Sequence, residues 1–417
     1  MPSTIASPAK SREIATQVPF FARKALRFLE RMQHGCLHLE LPNGRTLSFG
    51  PGGSTVARMQ LANWRVFPAV LRAGDIGLAE SYIDGDWSTP HLAELLKLLL
   101  ANRAALEALV YGSWWGQLAY RLRHALHRNS KAGSRRNIHA HYDLGNAFYA
   151  LWLDPSMNYS AAWFEGDLQG DLTLAQRAKM RRALQSAGVQ PGTTLLEIGC
   201  GWGALAELAA QEYQAQVTGV TLSPAQLQFA RARMQAADLA QRVQLRLQDY
   251  RDVADGPYDA ICSIEMLEAV GRAYWPEYFA ALRRLLRPGG RACIQSIVID
   301  EALFERYIRG TDFIQQYIFP GGCLPSKERL VACAAQAGLR VQEAFSFGPD
   351  YAETLRRWHQ RFTQARAQVL AQGFDTRFVR TWEFYLAYCE AGFDLHTIDV
   401  VQFTLVRDDS TTYANRG

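Results

Sequence analysis

The sequence has no cysteine pair at metal or redox spacing. Its seven cysteines (Cys36, Cys200, Cys262, Cys293, Cys323, Cys333 and Cys389) are scattered and odd in number. That excludes a disulfide framework and a Cys/His metal knuckle, and it reads as reduced thiols, mostly in cores. No apolar run reaches the length of about 18 residues that a membrane-crossing helix needs, and the N-terminus lacks the apolar core of a secretory leader. Any membrane contact is therefore expected to be peripheral. The formal net charge is only +5 over 417 residues, too small an excess to imply nucleic acid, although compatible with an anionic membrane surface. There is no internal repeat and no low-complexity segment. With 48% hydrophobic residues, global disorder is excluded, and the length leaves room for two or three domains.

What is present is organised around residues 194–205, TLLEIGCGWGAL. Thr194–Ile198 is a short apolar run of strand length. Gly199, Gly201 and Gly203 alternate after it, and a helix-periodic stretch follows from Ala204. Strand, glycine turn and helix together present backbone N–H groups to a nucleotide-like ligand. The loop has no Lys, so it cannot cradle phosphate in the Gly-Lys-Ser/Thr manner. A dinucleotide reading fits G-x-G-x-x-A but needs an acid at the end of the second strand for the ribose. That strand, Gln216–Val220, ends in Thr221-Leu222-Ser223. A third reading is S-adenosylmethionine (SAM), for which Glu197 just before the first glycine suits an ammonium and a sulfonium. A tight turn with no ligand stays open at this point.

Residues 1–18 read as a loose tail, 19–126 as an N-terminal lipid-associated domain, 127–136 (HRNSKAGSRR) as a basic linker and 137–417 as the catalytic domain. In the first domain we expect a helix over Phe20–Arg31 with Phe20, Phe21, Leu26 and Leu29 on one side. A hairpin follows around Pro42-Asn43-Gly44, then a strand in Asn63–Leu71, a helix in Gly77–Tyr82 and a long amphipathic helix over His91–Val110. The leucines of that last helix read either as lipid-facing or as core. Trp114, Trp115 and Tyr120 interleave with Arg121, Arg123, Arg128, Lys131, Arg135 and Arg136, a pattern suited to an anionic lipid surface or to a solvated linker.

From Pro191 strands and helices alternate, so the fold class is α/β with a mainly parallel sheet, Rossmann-like. The strands are Thr194–Ile198, Gln216–Val220, Val243–Leu247, Tyr258–Ile264 and Arg291–Val298, closed by Val400–Val406. The Ser223-Pro224 pair opens a helix to Ala237, residues 301–345 read as helical pieces around a Pro/Gly break, and Tyr351–Gln368 and Thr376–Ala391 read as helices. Ligands of such sheets sit beyond the carboxyl ends of the strands. Those ends supply Glu197–Gly203, Thr221–Ser223, Asp249-Tyr250 and Glu265–Glu268. Tyr250 is suited to stack on a purine and Asp249 to accept its amino hydrogens. One of Glu265 and Glu268 is expected in the site.

Several of these segments, His141-Tyr142-Asp143-Leu144-Gly145-Asn146, Asn158-Tyr159-Ser160, LLEIGCGWG, GVTLSPAQ (219–226), Met266-Leu267-Glu268, YIFPGGCLPS (317–326) and Gln402-Phe403-Thr404-Leu405, together resemble the cyclopropane-fatty-acyl-phospholipid synthases. The resemblance covers about 137–407, and GDIGLAESYIDGDW (74–87) extends it to the N-terminal domain of the bacterial two-domain members. It implies a SAM-dependent class I methyltransferase fold with helical additions roofing an acyl-chain tunnel. By this resemblance Tyr159, Ser160, Gly199, Gly201, Thr221, Leu222, Gln226, Tyr250 and Ile264 hold SAM, with Gln226 and the Thr221 region at the ribose; Glu197, Gly203 and Asp249 join the expected cofactor set from the glycine turn and the strand ends.

The chemistry implied is methyl transfer to a cis alkene of a membrane phospholipid, leaving a carbocation that Tyr317, Phe319 or Trp163 would stabilise by cation–π attraction. Ring closure then needs a base, which the family supplies as a bicarbonate held by a Cys, a Glu, a His and a Tyr. Glu268 and Tyr351 match two of these. The Cys position is Ala161 and the His position Gln295, so bicarbonate binding is expected to be weakened or displaced. His141 is expected to line the site. The product is accordingly either a cyclopropane or a methyl-branched or methyl-alkene chain, the latter with a redox partner. A homodimer, a cytoplasmic location on the inner membrane face, and the alternatives of amine N-methylation or a catalytically impaired lipid-binding homologue complete the expectations.

Overall fold

The structure is a computed structural model that describes residues 18–106 and 144–407. The tail, the aromatic and basic segment around Trp114, the linker and His141 lie outside the described residues. The described residues form two compact units: 18–106 with Asp375–Ala391, and 144–374 with 392–407.

In the first unit, a helix over Phe20–Leu29 precedes strands β1 (Gly35–Glu40), β2 (Thr46–Gly52) and β3 (Val56–Leu61). The expected hairpin is β1 with β2, antiparallel, while β3 runs parallel to β1 and pairs with the short β4 (Trp87–Ser88). Sequence reading missed β3, although Ala57, Met59 and Leu61 alternate inward. Asn63–Leu71 is not a strand. Helices span Val66–Ala73 and Asp75–Ile83 instead, packed so closely that Gly77 has the Ala69 carbonyl where a Cβ would stand, 2.1 Å away. The first helix buries Ala22, Ala25, Leu26 and Leu29, whereas Phe20 and Phe21 are exposed, a correction to the expected face. The leucine-rich helix is Leu92–Ala101, and Leu92, Leu95, Leu96 and Leu98 are buried against β1 and β3. The core reading of these leucines holds.

The second unit is built on a seven-stranded sheet of order β10-β11-β9-β8-β5-β6-β7. Its strands are β5 (Thr194–Ile198), β6 (Gln216–Thr221), β7 (Val243–Leu247), β8 (Tyr258–Ile264), β9 (Leu286–Ile299), β10 (Leu339–Ser346) and β11 (Ile398–Arg407). Pairings among β5 to β9 are parallel, and β11 lies antiparallel to both β9 and β10. β10 was not expected from the sequence, and its pattern is largely solvent-facing, which hides the period-two signal. Arg287–Gly290 is absorbed into β9 as an irregularity where pairing skips from Tyr258–Leu286 to Ala260–Arg291.

Helices cover both faces, and the strands alternate between them. Leu195, Cys262 and Cys293 join the apolar cluster of helices Leu172–Ser186, Ala204–Glu212 and Pro224–Ala236. Their neighbours Leu196, Ile261 and Ile294 join that of Trp275–Leu285 and Lys327–Gln336. Ser223 caps its helix as expected, accepting from the Gln226 N–H, with Pro224 in the first turn. This is the expected α/β architecture with a mainly parallel sheet.

Candidate active site

The carboxyl end of β5 carries the glycine turn. Gly199, Gly201 and Gly203 all have positive φ (83°, 51° and 85°), which side chains other than glycine seldom adopt. A Cβ on Gly199 would lie 2.4 Å from Met266 Cγ, so the turn packs directly on the β8 loop, whereas nothing stands within 4 Å of one on Gly201. Glu197, at the strand end, is buried, and its Oε2 has no hydrogen-bond partner among the described residues. Burial pushes its carboxyl up to about 8 against the attraction of Lys179. An unpartnered carboxyl oxygen beside an open glycine fits a ligand that brings an ammonium group.

The other expected ligand residues fall around this turn. Thr221 Oγ1 donates to Gln226 Oε1 at 3.1 Å, tying the end of β6 to the next helix. Leu222 lies between them, and Ile264 ends β8 beside the β5 core. Tyr250 is buried with its hydroxyl unpartnered and its ring edge-on to Tyr278. Asp249 is gripped bidentately by Arg251 at 2.8 and 2.6 Å, so both carboxylate oxygens already serve the loop. Ser160 Oγ accepts from Lys179 Nζ at 2.5 Å.

Aromatic rings lead from the glycine turn into the molecule. Tyr149 contacts Trp202 (centroids 5.1 Å apart) and Tyr159 (5.5 Å), and Tyr159 contacts Trp358 (5.5 Å) and Phe319 (6.4 Å). Trp358 in turn meets Tyr351 edge-on. Tyr351 and Trp358 stand seven residues apart on the helix Gly348–Gln364, hence on one buried face. Tyr317 stacks on Phe313, and Trp163 meets Phe345 edge-on. Of the expected aromatics, Phe319 brings its ring to Tyr159.

At the end of this path the structure gathers Glu265, Gln295, Tyr351 and Ala161. Glu265 Oε1 accepts from the Ala161 backbone N–H (2.9 Å) and Gln295 Nε2 (2.7 Å), and Oε2 accepts from the Tyr351 hydroxyl (2.7 Å). Tyr351 was expected to accompany Glu268. Glu268 instead accepts from the Ile297 N–H and the Ser296 hydroxyl, and its buried Oε2 has no hydrogen-bond partner among the described residues. Burial and the nearby Glu265 push Glu268 up to about 8, and burial also raises Glu265, opposed by its donors and by Lys179. The Pro/Gly loop 319–325 is tied here through Cys323 N–H to the Glu268 carbonyl.

Gln402 was missed as a site residue. It sits opposite Gln295 across β11 and β9 and donates to Gln295 Oε1 at 3.0 Å, turning the Gln295 NH2 toward Glu265. The signal was a buried amide in an otherwise apolar closing strand.

With this geometry in view, comparison with known proteins decides the family. The model described as mycolic acid cyclopropane synthetase matches residues 129–403. The chain belongs to the mycolic acid cyclopropane synthetase family. As a member of it, the chain is a SAM-dependent methyltransferase. It is 44% identical over 346 residues to a tuberculostearic acid methyltransferase of Mycobacterium tuberculosis, covering 81% of this chain and 80% of the relative. It is 35% identical over 356 residues to the cyclopropane-fatty-acyl-phospholipid synthase of Escherichia coli K12, covering 85% and 89%. Among solved structures, mycolic acid cyclopropane synthase CmaA1 complexed with SAH and CTAB superposes with a TM-score of 0.61 at 33% identity, over 65% of this chain and 98% of that one. Both relatives are named for work on lipid chains, and no described helix is long and apolar enough to cross a membrane.

Proposed function

We propose that the protein methylates one carbon of a cis double bond in an unsaturated phospholipid acyl chain and ends with a methyl-alkene or methyl-branched product rather than a ring. The observation that carries this is the aromatic path from Trp202 to Tyr351, which joins the glycine turn to a buried pair of carboxyl groups. Bound SAM supplies an electrophilic methyl group. Glu197 would meet its ammonium, Thr221 and Gln226 its ribose hydroxyls, and Tyr250 its adenine.

An alkene is a weak nucleophile, so the chain's contribution is alignment in a water-poor pocket. Tyr159, Phe319 and Trp358 offer ring faces to the positive charge left on the acyl chain, worth up to about 2 kcal/mol when desolvated. Of the two relatives described above, the more similar is named a methyltransferase and the less similar a synthase of cyclopropane chains. That order supports the unringed product, with a separate reductant where the final chain is saturated.

Access to the substrate would be peripheral, at an anionic membrane surface on the cytoplasmic side. The helix Phe20–Leu29 exposes Phe20 (81%) beside Arg23, Lys24 and Arg27, an apolar and basic edge suited to such an interface. None of the seven cysteines forms a disulfide.

The test is incubation with methyl-labelled SAM and vesicles of monounsaturated anionic phospholipid, followed by mass spectrometry of the released fatty acids. One labelled carbon in a chain that hydrogenates to a branched acid is expected. A ring that survives hydrogenation overturns the product assignment. Turnover of a soluble amine with none on vesicles overturns the lipid substrate.

A further inference from the structure

Glu265 sits in a conformation that its residue type disfavours. Its φ is 50°, in the left-handed region, which non-glycine residues seldom adopt. At this point of the chain, one residue past β8, the backbone is fixed on one side by the Glu265 N–H to Gln295 carbonyl bond (2.8 Å). On the other it is fixed by Met266, which packs on Gly199. A glycine would satisfy that turn without strain. The fold instead places a carboxylate there and surrounds it with donors.

Those donors come from three segments distant in sequence. The Ala161 N–H, the Gln295 amide and the Tyr351 hydroxyl converge on the one group at 2.7–2.9 Å. A carboxylate has about four lone-pair positions. Oε1 uses two of them and Oε2 one, which leaves a single acceptor position, on Oε2. Ala161 has no side-chain donor and serves through its backbone. Gln295 is held in the donating orientation by Gln402, which is itself anchored to the Lys179 carbonyl at 3.2 Å. The arrangement holds an anion, and the chain provides that anion itself.

The second carboxyl divides the labour. Glu268 has two donors on Oε1 and none on Oε2. Two carboxyl groups that repel each other in a buried site share one negative charge more readily than they carry two. Glu265, with three donors and the attraction of Lys179, is the better place for the charge, and Glu268 the better place for a proton.

We propose that Glu265 is the base of the reaction and fills the position that a free anion would otherwise occupy, so that turnover needs no bicarbonate. This rests on the alkene-methylation reading above and adds a catalytic residue to it. In that reaction the sulfur–methyl bond breaks as the alkene π pair forms the new carbon–carbon bond, leaving positive charge on the other alkene carbon. A C–H bond next to the charge then breaks. Its electron pair becomes the carbon–carbon π bond of the methyl-alkene product, and its proton passes to Glu265 Oε2. The resulting carboxylic acid returns its proton to solvent before the next turnover. Gln295 and Gln402 are positioning residues in this scheme, and Tyr351 orients Oε2.

The full-length wild type is compared with Glu265→Gln and Glu265→Gly in buffer purged of carbon dioxide. The wild type is expected to label lipid at the same rate with and without added sodium bicarbonate. Glu265→Gln is expected to lose about 10²–10⁴-fold in rate, the usual reach of a general base, with its SAM affinity by calorimetry unchanged, which also shows that it is folded. Glu265→Gly is expected to regain activity on addition of bicarbonate or formate. A readout independent of turnover is titration with ¹³C-labelled bicarbonate followed by NMR: saturable binding to Glu265→Gly and none to wild type.

A wild-type rate that falls when bicarbonate is withdrawn, Glu265→Gln working at the wild-type rate, or equal bicarbonate binding by wild type and Glu265→Gly would each overturn the proposal. If the wild type labels no lipid at all, the alkene-methylation reading fails instead. The bicarbonate titration then still decides whether Glu265 fills the anion position.

Discussion

The two halves of the site are built in opposite ways. The half proposed to receive the cofactor comes mostly from one stretch, Glu197–Gln226, with Tyr250 beyond it, and is shaped largely by the backbone: three glycines with positive φ, a strand end and a capped helix. The half proposed to handle the proton draws on Ala161, Glu265, Glu268, Gln295, Tyr351 and Gln402, joined by contacts among the end of β8, β9, β11, two helices and the loop that carries Ala161. A local motif tolerates little change at its few backbone-critical positions. A dispersed cluster degrades stepwise, because each member contributes one bond.

The largest expected effect tests the first half. Gly199→Ala puts a Cβ 2.4 Å from Met266 Cγ on a residue with φ of 83°. We expect about 2–4 kcal/mol of destabilisation from backbone strain and overpacking together, with SAM binding lost in calorimetry. Gly201→Ala, where nothing stands within 4 Å, should cost the φ strain alone.

Next comes the dispersed half. Gln295→Leu removes the donor to Glu265 and leaves the Gln402 amide with one of its two acceptors, the Lys179 carbonyl. We expect about 1–3 kcal/mol of lost stability from the buried unpaired group, read by denaturant unfolding. Methyl transfer should fall at least about tenfold, in keeping with general-base catalysis, while SAM affinity holds. Tyr351→Phe removes one bond to Glu265 Oε2 and should cost about 1 kcal/mol with a smaller loss of rate. If either variant loses SAM binding as completely as Gly199→Ala, the separation of the two halves is wrong.

The smallest effect is on pH dependence. Glu197 and Glu268 hold their protons up to about 8 in the fold, whereas an unfolded glutamate ionises near about 4.3. Between those values the folded state binds more protons, so their contribution to stability is full below the unfolded value and is lost as pH rises toward 8. Lys179, lowered to about 8 by burial, works the other way above that pH. Thermal midpoints of the apoprotein should therefore decline from pH 5 to pH 8, and Glu268→Gln should flatten the decline.

Legibility followed the same division. β5, β6, β7 and β8, the glycine turn and the Ser223-Pro224 cap were readable because short-range patterns specify them. Tyr250 and Glu197 could be placed at strand ends, but not their burial or their unpartnered oxygens. The carboxyl pair was visible as Glu265–Glu268, yet which of them Tyr351 touches depends on how the chain turns at a residue with φ of 50°. β10 escaped because most of its residues face solvent, and the helix Val66–Ala73 because a short apolar run reads equally as a strand, whereas the helix expected at Gly77–Tyr82 is present as Asp75–Ile83.

The sequence alone determined a parallel α/β sheet with a glycine turn, because strand length, helix period and glycine φ are properties of neighbouring residues, while the sulfonium cofactor followed from the spaced motifs that carry the family resemblance. The tertiary structure alone decided that Ala161, Gln295 and Tyr351 meet at Glu265, and that Asp375–Ala391 joins the N-terminal unit. Such meetings depend on strand register and helix packing over hundreds of residues, and no local pattern encodes a distance between segments so far apart.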